Sequence, residues 1–239
     1  MADLYPDYDG VVFKYASGTW ASIRNASSGT LNTASSYNIQ ALHSSGRGGN
    51  VYQIGRYFIE FDTSGITSTL DSATLKIYGV TSGTLDVILL KSSQSGAVGT
   101  GDFNEITNAS TPLTNSDGSG AGTFASTSVV EYSSEISTWS TSGYNDIALN
   151  SDALSDMVDN DTFNCVLVGF DYDWKDIAPS SATYRIDFYQ DAYTGTSRDP
   201  YIEYEIATGY GHTVNGVAAA NISKVDGVAT ANISKVIGV

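Results

Sequence analysis

Apolar side chains fall at every second position in five stretches of the chain. Tyr57, Ile59 and Phe61 share one phase, with Arg56 and Glu60 in the other. Ala73, Leu75 and Ile77 alternate with Thr74 and Lys76, and Leu85, Val87 and Leu89 follow soon after. Tyr184, Ile186 and Phe188 oppose Arg185 and Asp187, and Ile202, Tyr204 and Ile206 oppose Glu203 and Glu205. Each stretch predicts an antiparallel strand with one face in the core and one in water. The run from Phe163 to Phe170 is apolar in both phases, which predicts a central strand covered on both faces. Gly, Ser and Asn cluster between these runs, at 44–50, 92–101 and 115–120. Helical periodicity is confined to Ser151–Val158, one or two turns with Ser151 or Asp152 as N-cap. Short strands joined by polar turns, with almost no helix, predict an all-β fold over 1–209: an antiparallel β-sandwich of jelly-roll type.

The pattern changes at about Tyr210. Val214-Asn-Gly-Val-Ala-Ala-Ala-Asn-Ile-Ser-Lys224 is followed by Val225-Asp-Gly-Val-Ala-Thr-Ala-Asn-Ile-Ser-Lys235, an 11-residue repeat with two substitutions. Val214, Ala218, Ile222, Val225, Ala229, Ile233 and Val236 are spaced 4-4-3, the hendecad of a right-handed coiled coil. Against that helix stand a glycine in each copy and many β-branched residues. Val-Asn-Gly-Val and Val-Asp-Gly-Val instead carry the signature of tight hairpin turns, and β is the preferred reading. Either structure is too small to hold a core alone, so 210–239 reads as an assembly tail acting through Val214, Val217, Ile222, Val225, Val228, Ile233 and Val236.

Charge narrows the functions. Only 15% of residues are charged, and 26 acidic against 11 basic side chains give a net charge of −15. Such a surface repels nucleic-acid and anionic membrane phosphates, so neither is an expected partner. The opening residues, Met-Ala-Asp-Leu-Tyr-Pro-Asp-Tyr-Asp, have neither the basic nor the apolar region of a signal peptide, and no run is long enough to cross a membrane. The one cysteine, Cys165, lies in an apolar run and reads as buried.

No catalytic residues are expected. The two histidines, His43 and His212, lie far apart in polar sequence without a nucleophile elbow, and with one cysteine they do not compose a zinc site. No phosphate-binding glycine motif is present. Asp171, Asp173 and Asp176 are crowded beside Trp174, with Asp171 and Asp173 on one strand face. The leading reading is a solvated acidic loop; a structural Ca²⁺ site comes second, and a glycosidase pair last. No other cofactor is expected. Sixteen tyrosines and three tryptophans are many for so polar a chain. Trp20, Trp139 and Trp174 are the candidate glycan-contacting rings, since aromatic faces stack on sugars as well as on protein.

Arg56-Tyr-Phe-Ile-Glu-Phe61-Asp62, then Ile66, then Leu70-Asp-Ser-Ala73-Thr-Leu75-Lys-Ile-Tyr78, resembles the core of DNRLRE-type domains. The segment from Tyr184 to Asp199-Pro200-Tyr201 and the strand after it is similar to that family's closing pair, so the likeness spans about 5–207. The namesake string is absent, and Phe188-Tyr-Gln-Asp-Ala-Tyr stands near its place. The resemblance implies a jelly roll akin to carbohydrate-binding modules, found on secreted bacterial proteins and in phage structural proteins. The tail repeats resemble those ending structural proteins of tailed bacteriophages. Together they imply a non-catalytic virion protein (capsid decoration, head fibre or tail component) located in the particle. Its expected partners are copies of itself, with a trimer as one option, other virion proteins and surface glycans. The rival reading is a secreted bacterial carbohydrate-binding or filament-forming adhesin module.

Overall fold

The alternating runs become strands in the computed structural model, which describes residues 1–109, 129–180, 182–192, 197–207, 224–225 and 228–229. In chain order these are β1 (Ala2–Leu4), β2 (Tyr8–Ser17), α1 (Trp20–Arg24), β3 (Thr30–Asn32), β4 (Ser36–Gly46), β5 (Gly49–Asp62), β6 (Leu70–Gly83) and β7 (Val87–Lys91). Then come β8 (Tyr144–Ala148), α2 (Ser151–Asp159), β9 (Thr162–Gly169), β10 (Thr183–Tyr189) and β11 (Tyr201–Ile206). Two short strands in the tail, β12 (Lys224–Val225) and β13 (Val228–Ala229), complete the described elements.

Hydrogen bonding runs β1-β11-β6-β10-β4-β5-β2-β3, with β9 joining β5 to β7 and β8 joining β6. Every pairing is antiparallel. The two longest strands change neighbours along their length, and this folds the sheet into two layers. β5 pairs with β4 through Ile54 and with β9 from Tyr57 onward, while β2 follows it throughout. β6 pairs with β11 over its first half, with β8 in its middle and with β10 at its end. The fold is the antiparallel β-sandwich that the alternation predicts. Leu75, Ile77, Ile147, Ile186, Phe188 and Ile202 all face the core. The Tyr57 and Phe188 rings meet there with centroids 4.5 Å apart. β9 is buried on both faces from Cys165 to Gly169, as its unbroken apolar run requires, and burial pushes the Cys165 thiol well above its ordinary range.

Four local expectations change. β7 was expected to keep one face in water, yet Ile88 and Leu90 are 1% and 0% exposed, as buried as Val87 and Leu89. Arg56 and Glu60 were expected on a wet face, yet they are 0% and 6% exposed. The segment that follows β7 covers them: Gly96 N–H donates to Glu60 Oε2 at 2.8 Å, and Phe103 lies under the Arg56 guanidinium. The N-cap of α2 is Asn150, one residue earlier than expected, and its Oδ1 accepts from Asp152 and Ala153 N–H at 3.1 Å each. Ile206 is 52% exposed, because the sheet ends there. The turn-rich 115–120 stretch and His212 lie outside the described residues.

Gly79 marks where a loop crosses the sheet. A Cβ there would sit 1.9 Å from the Ser140 carbonyl oxygen, and Gly79 N–H donates to Gly143 O at 2.9 Å. Gly79→Ala is therefore expected to destabilise the fold by about 1–3 kcal/mol. Urea titration would read this as a lower midpoint. An unchanged midpoint would mean that the 139–143 loop moves aside at no cost.

Candidate functional site

The acidic run does not form a strand. Phe170–Trp174 winds into a π-helical turn, ended by Asp176 at φ 55°, a left-handed conformation that Asp tolerates better than most side chains. The turn separates the carboxylates and gives each its own cation. Asp173, 1% exposed, accepts from Arg56 Nε at 2.6 Å and from Arg56 Nη2 at 2.9 Å. Arg24 Nε lies 3.3 Å from the same carboxylate and donates to the Asp173 carbonyl at 2.9 Å. Asp176 meets Arg24 Nη1 at 3.5 Å and accepts from the Trp20 indole N–H at 3.1 Å. Asp171 pairs with Lys175 at 2.8 Å.

Arg56 also donates to Phe103 O, to Asn104 Oδ1 at 2.8 Å and to Arg24 O at 3.2 Å. Burial pushes the Arg24 guanidinium down from its ordinary value, while Asp173 and Asp176 pull it back up. Arg56 and Arg24 thus neutralise Asp173 and Asp176 while Lys175 pairs with Asp171, so Asp173 sits neither in the solvated loop read first nor in the Ca²⁺ site read second but in a buried, arginine-held joint between α1, β5 and the π turn. Among the described residues no group of three or more His, Cys, Asp or Glu side chains is arranged to hold a metal ion.

The tryptophan platform is also corrected. Trp20 and Trp174 are 7% and 5% exposed, packed into the core. Trp139 is half-buried, edge-on to Phe188, with its N–H 3.4 Å from Asp187 O. Large indoles gain most by burial once the N–H has a partner.

Tyrosines form the aromatic surface instead. In an antiparallel sheet directly paired residues point to the same side. Tyr78 opposes Tyr144, and Lys76 opposes both Tyr201 and Asp146, all in the outward phase of strands whose Leu75, Ile77 and Ile147 face inward. Ring centroids run Tyr5–Tyr201 at 5.7 Å, Tyr201–Tyr144 at 5.2 Å, Tyr144–Tyr78 at 5.2 Å and Tyr78–Tyr189 at 5.9 Å. Five rings thus form one continuous array, edge-to-face at its centre. Tyr5 is 40% exposed and the other four are half-buried.

The rings are fixed from within the protein. Tyr78 O–H donates to Ser142 O at 3.1 Å and Tyr144 O–H to Asp199 O at 3.2 Å. Arg198 lies 5.2 and 5.1 Å from the Tyr78 and Tyr189 centroids and donates to the Tyr189 hydroxyl at 2.8 Å. Lys76 Nζ is 3.1 Å from Asp146 and 3.5 Å from Glu203. Burial, then Tyr201, Tyr5 and Asp199 nearby, pushes the Tyr144 hydroxyl up to about 12, so it stays protonated at physiological pH.

Sequence reasoning missed this array, although a signal was present. Tyr78 shares its phase with Thr74 and Lys76, and Tyr201 shares its phase with Glu203, so both stand where a strand is expected to be polar. No protein-family model matches the chain, and no curated protein matches its sequence. Among the described residues no helix is long and apolar enough to cross a membrane.

Proposed function

We propose that the chain is a non-catalytic structural protein of a tailed-phage virion, in which a DNRLRE-like sandwich is displayed and the repeat tail carries assembly. The observation that supports it most directly is the antiparallel pairing of β12 with β13 in the second repeat, with Val225 opposite Val228. A two-stranded hairpin this short is marginal in water by itself, so it requires a partner surface. Val225 and Val228 are the assembly residues that fall in the hairpin; Val214, Val217, Ile222, Ile233 and Val236 lie outside the described residues. A cavity of about 540 Å³ lined by Met1, Asp71, Tyr204, Glu205 and Ile206 opens at Ala207, where the sandwich gives way to the tail, with polar and apolar surface in similar measure.

The outward-facing, half-buried tyrosine array favours a second reading, the secreted carbohydrate-binding adhesin. The two differ in where the protein is found: mass spectrometry of purified particles detects a virion protein and misses an adhesin. For assembly itself, the double variant Val225→Asp with Val228→Asp buries two charges wherever the hairpin packs, and it is expected to lower the mass in solution or abolish incorporation into particles. An unaltered mass together with unaltered incorporation sinks the assembly role.

A further inference from the structure

We infer that the chain cuts itself at the Asp199–Pro200 bond: the Asp199 carboxyl attacks its own main-chain carbonyl while the Tyr144 hydroxyl holds that carbonyl's oxygen. The reaction is a single turnover of the chain on itself. It goes beyond the assembly reading and does not depend on it, since every group involved belongs to the sandwich.

Asp199-Pro200 is the only Asp-Pro pair in the sequence. The bond before a proline is a tertiary amide without an N–H. An aspartate side chain reaches its own main-chain carbonyl carbon through a five-membered ring, so nucleophile and target are already joined.

Three observations prepare this bond for attack. Asp199 is 4% exposed and Pro200 is buried beside it. Asp199 Oδ1 is buried with no hydrogen-bond partner among the described residues, so no donor occupies the lone pairs that would attack. Tyr144 O–H donates at 3.2 Å to Asp199 O, the oxygen that becomes negative when the carbonyl carbon turns tetrahedral. Tyr78 and Tyr201, each 5.2 Å from the Tyr144 ring, hold this donor in place beforehand.

The acid form of Asp199 carries the proton that the step consumes. A carboxyl oxygen bonds to the main-chain carbon, the bond from that carbon to the Pro200 nitrogen breaks, and the carboxyl proton passes to the nitrogen. The products are a cyclic anhydride and a free proline amine. One water then opens the anhydride to two carboxyl groups and is the only co-reactant. Burial, then the charge of Asp191, raises the Asp199 pKa, so its acid form persists above the ordinary aspartate range. The titratable groups facing it are Asp191 after β10, Asp9 on β2 and Tyr144 on β8. Its chain neighbour Arg198 is turned to the Tyr189 hydroxyl and the Tyr78 ring.

The cut divides 1–199 from 200–239. β11 keeps its pairing with β1 and β6, and Ile202 stays in the core. The sandwich therefore remains assembled, while the link between its main body and the repeat tail becomes non-covalent.

The test incubates the purified full chain between pH 4 and 8 and follows it by intact-mass spectrometry. The expected products are 1–199 and 200–239, with masses that sum to the intact chain plus one water. At pH 5 the folded chain should cut at least tenfold faster than the same chain unfolded in urea. Tyr144→Phe, which keeps the ring and its packing, should slow the cut tenfold or more. Asp199→Asn should abolish it. The rate should fall as rising pH strips the Asp199 proton, and Asp191→Asn, by removing a neighbouring negative charge, should move that fall to lower pH.

Any of four results overturns the inference: a chain intact at every pH, equal rates for folded and unfolded chain, indifference to Tyr144→Phe, or a rate that rises with protein concentration. The comparison of folded with unfolded wild type keeps the test valid if Asp199→Asn fails to fold. Fragment masses are read without particles or tail variants, so failure here and failure of the assembly reading are separately visible.

Discussion

Asp173→Ala is expected to destabilise the sandwich by about 3–5 kcal/mol, because it strands Arg56 and much of Arg24 as uncompensated buried charges. The loss should appear in urea unfolding as a large drop in midpoint. Asp173→Asn keeps the shape and some hydrogen bonds but removes the charge, so it should fall close to the alanine variant. The joint also gives the reverse expectation. Removing charge on both sides together, as in Arg56→Met with Asp173→Leu, should be less harmful than Asp173→Ala, since only Arg24 then loses a partner and it keeps Asp176 at 3.5 Å. The test is a double-mutant comparison under identical conditions. If Asp173→Ala unfolds within about 1 kcal/mol of wild type, Arg24 and Arg56 must be compensated by other groups and the joint is not what fixes the π turn.

Asp9 is expected to make the protein less stable as pH rises through about 6. Its carboxylate accepts from the Tyr57 hydroxyl and from Asp191 N–H at 3.0 Å, at the junction of β2, β5 and the chain leaving β10. Burial raises its pKa from 3.8 to about 6, opposed by those two hydrogen bonds and reinforced by the charges of Asp191 and Asp199. A raised folded-state value means that the folded protein holds the proton more tightly than the unfolded chain. The associated stability is complete below pH 3.8 and is lost as pH climbs to 6 and beyond. A shift of about two pH units corresponds to about 3 kcal/mol, an upper figure for a partly accessible group. Asp191 and Asp199, both raised by burial, act in the same direction. Asp9→Asn should therefore be more stable than wild type at pH 7–8 and lose that advantage near pH 4. Thermal melts of both proteins across this range read the difference, and parallel curves for the two would remove Asp9 as the titrating group.

The sequence by itself determined the fold class, for a simple reason. Period-2 alternation appears wherever a strand has one wet and one dry face, and β6 is such a strand; β10 alternates in sequence as well, although Asp187 in its polar phase is buried. The unbroken apolar run of β9 likewise announced burial on both sides. The helix at Ser151 was legible because its periodicity is local, although its cap is Asn150, one residue before the expected position. Only the tertiary structure decided what depends on distant chain. Arg56 and Glu60 look like the wet phase of β5, and they are dry because the segment after β7 is laid across them. Asp171, Asp173 and Asp176 look like an acidic cluster; Asp171 is paired locally by Lys175, but Asp173 is neutralised because Arg56 and Arg24 arrive from 117 and 149 residues away. Composition counted the aromatic residues but not the side of the sheet on which they stand. The tryptophans went inward, where an indole gains most from leaving water, and the tyrosines in the polar phase of β6, β8 and β11 were left outside as a surface.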